Sequence, residues 1–395
     1  MSSAHLRAVV RDVPGGSRTG QDVVVSWGLP IEPPVEPMLA KLARRIPDAE
    51  DGSLLFEPKW DGFRCIVFRH GDRIELQSRN KKQLGRYFPE LLSPLLDALP
   101  ERCVVDGEIV VPDLDDCGLD FDALQQRIHP AASRVERLAR ETPAEFVAFD
   151  VLALGDETLL DRPMEERRER LLAAVQPDGP VRITPASIER ARAEEWFVRF
   201  EGAGLDGVIA KPIDGRYEPG KRSLVKIKHE RTGVCAVPGF RVHKDGEGVG
   251  SLLLGLWETS ADGSPTSLRS VGVAAAFSVA TRRALRELLE PRTGDALADH
   301  PWAEWAAWQG ERAADVAAGR TVPPTNHSRW NVGKDLSFVP IRMGLVAEVT
   351  FGQLEGGRFR HGVKFVRWRD DLTPYDCTYD QLDVAAPVRF ATLFE

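Results

Sequence analysis

Short apolar runs alternate with amphipathic stretches between residues 30 and 229. Seven runs are rich in β-branched and aromatic residues and predict β-strands: LLFEPK, FRCIVFRH, RIELQSR, CVVDGEIVV, FVAFDVLAL, GVIAKP and SLVKIKH. Apolar residues at helical spacing predict four helices between them, in YFPELLSPLLDAL, DALQQRI, PMEERRERLLAAV and IERARAEEWFVRF. The order of these elements predicts an α+β domain with much antiparallel sheet and flanking helices.

The pattern changes after the sequence ERTG at residues 230–233. Five longer strands follow, GVCAVPGFRVH, GVGSLLLGLWE, SLRSVGVA, LVAEVTFGQL and HGVKFVRWR, with helical stretches near 279–290 and 301–318. Five such strands predict a small β-barrel of the oligonucleotide-binding (OB) type. We therefore expect a first domain over residues 30–230 and an OB-fold domain over residues 231–395. Residues 1–29 have no apolar core and are expected to form a flexible tail.

Composition excludes several classes of protein. Of the 395 residues, 43% are hydrophobic and 28% charged, and no apolar run is long enough to span a bilayer, so we expect no membrane association. The five cysteines are odd in number and lack metal-ligand spacing, which indicates a reducing, cytoplasmic environment. No strand is followed by a Rossmann or P-loop glycine pattern.

The net charge of −8 and the pI near 5.7 would argue against a polyanionic partner if charge were evenly spread. It is not evenly spread, because basic residues cluster in SRNKKQLGR (78–86), KRSLVKIKHER (221–231) and RFRHGVKFVRWR (358–369). These clusters keep nucleic acid among the candidate partners.

Lys59 stands out because it ends a predicted strand in EPKWDGFR. A free lysine has a pKa of about 10.4, so a nucleophilic lysine must be desolvated or placed beside other cations. Lys226 and Lys228 alternate with apolar residues in LVKIK, which puts both ammonium groups on one face of a strand. These two cations could favour a neutral neighbouring amine and could also hold a phosphate.

Attack of a lysine amine on phosphorus would also need carboxylates for Mg²⁺ and a cationic clamp for the leaving pyrophosphate. Glu108 and Asp206 each lie beside an apolar strand run, where an unpartnered carboxylate is costly to bury. Arg367 and Arg369 share one face of a strand in FVRWRDD and suit a polyphosphate.

Taken together, these motifs resemble the ATP-dependent DNA ligases of the covalent nucleotidyltransferase superfamily, in their small bacterial two-domain form. Six motifs occur in the family's order, followed by a carboxyl-terminal one: EPKWDGFR, SRN, VVDGEIVV, AFDVLAL, LDGVIAK and LVKIK, then FVRWRDD. Each is weak alone, but the ordered set is specific. The resemblance implies an ATP-grasp-like nucleotidyltransferase domain followed by an OB-fold β-barrel.

For the nucleotide, the resemblance implies that Lys59 attacks the α-phosphate of ATP and forms a lysyl-AMP. Glu57 would recognise the adenine amino group, and Phe149 would stack on the adenine. Arg64 would contact the sugar and phosphate region, and Arg79 the 5′-phosphate of a DNA nick.

For the metal and the phosphates, the resemblance implies that Glu108 binds ribose or metal and that Asp206 binds metal. Asp206 departs from the family pattern, which has glutamate there. Lys226 and Lys228 would contact phosphates.

The carboxyl-terminal motif would orient pyrophosphate through Arg367, Arg369 and Asp370. The family motif often continues with Asp and Lys, whereas this chain has Asp371 and Leu372. The clamp would then have one cation fewer.

The implied reaction is the sealing of 5′-phosphate/3′-hydroxyl nicks in duplex DNA with ATP and Mg²⁺, or Mn²⁺ in its place. We expect a monomer whose OB domain swings about residues 231–233 between steps. Without a dedicated DNA-binding domain the enzyme needs a targeting partner protein or works on breaks, which favours DNA repair. RNA ligation, GTP-dependent capping chemistry and a non-catalytic OB-fold binding protein are the alternatives.

Overall fold

Within the described residues, the apolar runs form three large sheets, one two-stranded hairpin and seven α-helical stretches. A computed structural model describes residues 26–115, 117–309, 337–352, 354–359, 362–382 and 386–395. The strands before residue 230 are β1 (Ala40–Ala43), β2 (Leu54–Lys59), β3 (Phe63–His70), β4 (Arg73–Ser78), β5 (Arg102–Val110), β6 (Glu145–Leu154), β7 (Glu157–Thr158), β8 (Val181–Ile183), β9 (Gly207–Pro212) and β10 (Leu224–Lys228). The helices of this region are α1 (Leu92–Ala98), α2 (Phe121–Gln126), α3 (Ala132–Glu141), α4 (Met164–Ala174) and α5 (Arg190–Arg199).

Two sheets build the first half of the chain. One has the order β4-β3-β5-β6-β7, with β8 also paired to β6, and the other has the order β1-β10-β9-β2. All pairings are antiparallel except β1 with β10 and β6 with β8. The predicted α+β class with antiparallel sheet is confirmed.

One apolar cluster joins the two sheets. It contains Ile66 of β3 and Leu152 of β6 together with Leu224 of β10 and Met38, all buried. Because strands of both sheets contribute to one cluster, the sheets lie close together and the ends of β2, β9 and β10 come near β3 and β5.

The second half forms a barrel from β11 (Arg231–Val242), β12 (Val249–Thr259), β13 (Pro265–Ala274), β14 (Val339–Pro340), β15 (Val346–Phe351) and β18 (Lys364–Trp368), with helix α6 (Val279–Leu289). A separate hairpin pairs β16 (Leu354–Glu355) with β17 (Arg358–Phe359). The barrel order is β13-β12-β11-β15-β18, and a parallel bridge between Ala274 and Val363 links its two ends. This is the predicted five-stranded OB-fold arrangement.

The sequence pattern missed some elements and overextended others. Helix α3 and the short strands β1, β7 and β8 were not predicted. The helix predicted over YFPELLSPLLDAL contains only α1 as α-helix, preceded by two 3₁₀ turns, because Pro89 lacks an N–H donor and restricts Phe88. Of the helical stretch predicted at 301–318, residues 303–309 are helical and the rest lies outside the described residues.

Both ends of the described chain pack against the first domain. Trp27 and Leu29 are buried, and the Trp27 ring lies between Phe68, at 6.4 Å, and the guanidinium of Arg73, at 3.6 Å. The flexible tail predicted for residues 1–29 therefore overlaps an anchored stretch at its end, while residues 1–25 lie outside the described residues.

At the other end, residues 386–395 contact the first domain although they fall within the range predicted for the barrel. Phe390 and Leu393 are buried in a cluster with Phe56 and Trp60. These residues are called segment 386–395 below.

Within the described residues, no helix has the length and apolarity needed to cross a membrane. All five cysteines have free thiols, four of them buried.

Candidate active site

A cleft of about 690 Å³ opens between the two sheets of the first domain. Its lining includes all nine predicted site residues of the first domain: Glu57, Lys59, Arg64, Arg79, Glu108, Phe149, Asp206, Lys226 and Lys228. The tertiary structure thus brings six separate motifs to one cavity.

Lys59 and Lys228 share one carboxylate. The Nζ atoms of both lysines donate hydrogen bonds to Oδ2 of Asp206, each at 2.6 Å. Strand register causes this convergence, because Lys59 on β2 and Lys228 on β10 both pair with Gly207 of the intervening strand β9. The backbone N–H of Asp206 also donates to the carbonyl oxygen of Lys59, at 3.1 Å.

Gly207 is required for this arrangement. Its φ is +137°, and a Cβ atom there would lie 2.0 Å from the carbonyl oxygen of Ile227. Any side chain would therefore push β9 away from β10 and move Asp206 out of reach of Lys228.

Gly62, in the motif that contains Lys59, also allows the backbone to approach β5 closely. A Cβ on Gly62 would lie 2.2 Å from the carbonyl oxygen of Ile109 and 2.9 Å from Cγ of Glu108. The turn that follows Lys59 can therefore lie directly on β5, which brings the lysine motif and Glu108 to the same wall of the cleft.

Glu108 is a half-buried carboxyl group with a raised pKa of about 7. Burial raises the pKa, and the nearby cations Arg64 and Lys59 only partly offset the effect. Arg64 is its direct cross-strand partner on β3. Glu108 therefore titrates near neutral pH.

Arg64 is fixed by a buried network. Its Nε and Nη2 atoms donate to the two carboxylate oxygens of Asp106, both at 2.6 Å, and the hydroxyl of Tyr217 donates to Oδ2 of Asp106 at 2.6 Å. The guanidinium lies 4.4 Å from the centre of the Phe149 ring. A bidentate pair of this kind holds the Arg64 head group in one orientation.

Glu57 forms a buried ion pair with Lys211. Their Oε2 and Nζ atoms are 2.7 Å apart, and each residue is about 3% exposed. Lys211 also donates to the carbonyl oxygen of Phe149 at 3.2 Å. The second carboxylate oxygen of Glu57, Oε1, has no hydrogen-bond partner among the described residues. A buried acceptor at the cleft wall is therefore available to a donor on a bound molecule.

Lys226 has a lowered pKa, caused first by burial and then by the positive charges of Lys228 and Lys59. This supports the prediction that cations crowd the lysine end of the cleft. Arg79 is exposed at the rim.

The predicted site residues of the barrel lie outside the cleft. The guanidinium groups of Arg367 and Arg369 contact Oε2 of Glu348 at 2.8 and 3.3 Å, and Arg369 also pairs with Asp371 at 2.6 Å. This pairing lowers the pKa of Asp371 to about 2. Neither arginine nor Asp370 lines the cleft. The predicted pyrophosphate clamp is thus not assembled beside Lys59 in this arrangement of the domains.

Within the described parts of the chain, no three His, Cys, Asp or Glu side chains are grouped to hold a metal by themselves. The carboxylates of Glu108 and Asp206 nevertheless line the same cleft. This set fits Mg²⁺, which is commonly bound through one or two carboxylates plus substrate phosphates rather than by a protein cage.

Sequence reasoning missed Lys211 and Asp106. Lys211 lies in the motif LDGVIAK and Asp106 in the motif VVDGEIVV. The alternation of side chains along a β-strand could have identified both residues. Lys211 lies two residues from Ile209, which lines the cleft, and Asp106 lies two residues from Glu108. Alternate residues of a strand share a face, so both could have been assigned to the site.

Known proteins match this chain over the region that carries the cleft residues. Residues 37–228 match a family model described as the ATP dependent DNA ligase domain. The chain is 53% identical over 361 residues to DNA ligase C of Mycobacterium tuberculosis, covering 90% of this chain and 95% of that protein. It is 52% identical over 357 residues to DNA ligase C2 of Mycolicibacterium smegmatis, covering 90% and 96%. Among solved structures, the ligase domain of M. tuberculosis LigD matches 87% of this chain and 98% of its own, with 27% identity and a TM-score of 0.40.

Proposed function

The chain belongs to the ATP-dependent DNA ligase family, and from this premise we propose how its cleft seals nicks in duplex DNA. The protein is an ATP-using DNA ligase. The observation that carries the assignment of the nucleophile is the position of Lys59 in the cleft, where Asp206 binds both Lys59 and Lys228.

In the first step, the neutral amine of Lys59 attacks the α-phosphorus of ATP. A P–N bond forms, the bond to the β-phosphate oxygen breaks, and pyrophosphate leaves. Lys226 and Lys228 carry positive charge to this end of the cleft and stabilise the charge on the phosphates. Asp206 holds the Lys59 side chain in line until the proton of the ammonium is lost.

The base would be recognised from both walls of the cleft, by Glu57 of β2 and by Phe149 of β6. Glu57 has a buried oxygen atom, Oε1, that accepts no hydrogen bond from the described residues. The amino group of adenine donates a hydrogen bond, whereas guanine presents a carbonyl oxygen at the same position and would face a carboxylate. Phe149 provides a ring for stacking. This chemistry favours ATP over GTP.

In the second step, the 5′-phosphate of the nick attacks the lysyl-AMP and takes the adenylate. In the third, the 3′-hydroxyl attacks the activated 5′-phosphate and AMP leaves. All three steps are phosphoryl transfers that depend on positioning and on charge stabilisation, so one cleft can serve all of them. Arg79, which is exposed at the rim, would contact the nick phosphate.

Mg²⁺ would be held by Glu108 and Asp206 together with phosphate oxygens, and would supply Lewis-acid stabilisation of the phosphate charge. Asp206 has a shorter arm than the glutamate of the family pattern. Its carboxylate nevertheless lies 2.6 Å from the Nζ atoms of Lys59 and Lys228, which supports a position close to the phosphates that would share the metal.

Pyrophosphate would be oriented by Arg367, Arg369 and Asp370 after the barrel swings toward the cleft about residues 231–233. Segment 386–395 limits this movement. Leu382 belongs to the barrel core, and Val388 packs on the first domain. The chain between them covers six residue steps and can span roughly 20 Å at most, which limits how far the barrel can move from the first domain.

The DNA backbone would be bound beside the cleft. Lys41, Arg44 and Arg45 are exposed on and after β1, the edge strand paired with β10, and they form no salt bridge with another described residue. Leu42 of β1 pairs with Lys226. Lys41 itself pairs with Val225, so its side chain lies on the other face of the strand from Leu42. These exposed cations at the edge of the sheet match the charge of a phosphate backbone, in a protein whose net charge is −8.

We place the enzyme in DNA repair because the described residues offer DNA a small group of exposed cations beside the cleft, which gives a weak grip. Slow, salt-sensitive sealing of isolated breaks follows from that arrangement. Rapid processive sealing of many nicks by the protein alone would argue against it.

A direct test is the sealing of a 5′-phosphorylated nick with ATP and Mg²⁺, with Lys59→Ala as the control and GTP as the competing nucleotide. Sealing should need ATP and Lys59, and labelled AMP should become attached to the wild-type protein alone. Attachment of GMP, or joining of RNA ends in place of DNA ends, would move the function to capping chemistry or RNA ligation.

A further inference from the structure

Segment 386–395 leaves the barrel and packs against the wall of the first domain that carries Lys59. Its contact with the first domain begins at the turn Phe200–Ala203. The N–H of Val388 donates to the carbonyl oxygen of Gly202 at 3.2 Å, and a Cβ on Gly202 would lie 1.8 Å from the carbonyl oxygen of Ala386. This close backbone approach shows that the segment is fitted to the first domain and does not merely lie on it.

The segment ends in a short 3₁₀ helix, Phe390–Phe394, that buries apolar side chains. Phe390 is 4% and Leu393 1% exposed. The Phe394 ring lies over the guanidinium of Arg182, at 5.3 Å, and the carbonyl oxygen of Glu395 accepts a hydrogen bond from Arg192 at 3.2 Å. Apolar burial and two polar contacts therefore fix the helix in one position.

Trp60 is the residue on which this helix packs. The Phe394 ring is stacked on the Trp60 indole, with ring centres 5.2 Å apart and an interplanar angle of 18°, and Phe390 contacts the indole edge at 6.3 Å. On its other side the indole N–H donates to Oγ1 of Thr184 at 2.8 Å. The side chain of Trp60 is thus held between the first domain and segment 386–395.

Trp60 follows the nucleophile directly. The Nζ atom of Lys59 also donates to the carbonyl oxygen of Trp60, at 3.4 Å. A shift of the Trp60 backbone would move both an acceptor of the Lys59 amine and the turn that leads to Gly62. Misplacement of a reacting group by about 1 Å is enough to slow a reaction by up to a hundredfold.

We propose that segment 386–395 positions the nucleophile: by stacking on Trp60, Phe394 holds Lys59 in line for attack on ATP. Phe394 does not touch the substrate and acts through Trp60, so it is a positioning residue and not a catalytic one. The proposal rests on the proposed role of Lys59.

Removal of the ring should impair adenylation more than any other step. In the Phe394→Ala variant, the single-turnover rate of lysyl-AMP formation at saturating ATP should fall about tenfold, while the ATP concentration for half-maximal rate changes less than twofold. Sealing of a nick that already carries AMP should stay within twofold of wild type, since that step does not use Lys59 as nucleophile. Phe394→Tyr should restore the adenylation rate because the stacking ring is retained.

Tyr375→Ala is the matched control. Tyr375 stacks on Trp257 in the barrel with the same centre-to-centre distance, 5.2 Å, and a similar angle of 24°. This variant removes an equivalent ring far from the nucleophile and should adenylate at the wild-type rate. If Phe394→Ala unfolds at the assay temperature, Phe394→Leu is assayed under the same criteria.

An adenylation rate within twofold of wild type would overturn the proposal. Equal losses in adenylation and in sealing of the pre-adenylated nick would also overturn it, since they would indicate a general structural defect. Failure of the proposed function itself gives a different result, because the wild-type protein would then form no lysyl-AMP.

Discussion

The Nζ atom of Lys59 lies 2.6 Å from Oδ2 of Asp206, a residue 147 positions further along the chain. The same oxygen accepts a hydrogen bond from Lys228 at 2.6 Å. One carboxylate thereby holds both the proposed nucleophile and a proposed phosphate-binding cation, at the place where Mg²⁺ would bind.

Two replacements of Asp206 should therefore distinguish the effect of its negative charge from the effect of its side-chain shape. Asp206→Asn should slow adenylation by about a hundredfold or more, because one preorganised charge at a reacting centre contributes on that scale. Asp206→Glu, which restores the family residue, should retain the rate within about tenfold. Single-turnover formation of labelled lysyl-AMP measures both, and a fully active Asp206→Asn variant would exclude a metal-binding role.

The buried pair of Glu57 and Lys211 should matter for stability. Lys211→Met leaves a carboxylate uncompensated in the interior and should lower the free energy of unfolding by about 3 kcal/mol. The matched control is Lys221→Met, since Lys221 is exposed and solvent screens its ion pair with Glu218, so its loss should change the free energy of unfolding little. Urea unfolding measures both variants, and equal losses would contradict the prediction.

Glu108 should make stability depend on pH. Its pKa is raised from 4.5 to about 7 in the folded protein, so the folded state binds the proton more tightly than the unfolded state. The stability contributed by the protonated group is complete below pH 4.5 and is lost as the pH rises through 7.

Glu108→Gln should therefore raise the unfolding midpoint at pH 8 by roughly 3 °C and change it little at pH 4.5, relative to wild type. Thermal unfolding in a chelator at the two pH values measures this difference without metal binding. A difference independent of pH would show that the carboxyl group has no shifted pKa.

Arg367 and Arg369 should act in the first step. The double variant Arg367→Ala, Arg369→Ala should adenylate at least about tenfold more slowly, because the leaving pyrophosphate loses two cations. Arg283→Ala provides the control, since Arg283 is exposed on α6 and its contact is a surface ion pair with Glu247. A normal adenylation rate in the double variant would rule out the clamp.

The cations on and after β1 should bind DNA without affecting the chemistry. Lys41→Ala, Arg44→Ala, Arg45→Ala in one chain should weaken binding to a nicked duplex and reduce the salt slope, d log K/d log[salt], by up to about 2.7 in magnitude. Adenylation in the absence of DNA should be unchanged.

The control for this surface is the double variant Arg137→Ala, Arg140→Ala on α3, which should bind DNA like wild type. Titration of a labelled nick at several salt concentrations measures the slope. An unchanged slope in the β1 variant would place the DNA on another surface.

Much of the site could be predicted because its signals are local. The strand-end position of Lys59 and the shared face of Lys226 and Lys228 follow from the alternation of apolar and polar residues along a strand. Glu108 and Asp206 were found as polar residues beside apolar runs, and both line the cleft. The five long strands of the barrel could be predicted for the same reason, since strand lengths and glycine-rich turns are local features.

Contacts between distant parts of the chain could not be predicted in this way. That β9 lies between β2 and β10, and so gives Asp206 to both lysines, depends on how the sheet is ordered. The pairing of Glu57 with Lys211 and the attachment of Arg367 to Glu348 are likewise matters of register.

The sequence by itself determined the elements, the order of the motifs and the residue types that line the cleft, because the periodicity of apolar residues and the chemistry of short motifs act over a few neighbouring positions. The tertiary structure alone decided which charges meet, and it placed Phe394 on Trp60. Those contacts arise when whole faces of sheets and helices bury their apolar surface together, and this free energy belongs to the assembled fold rather than to any one segment.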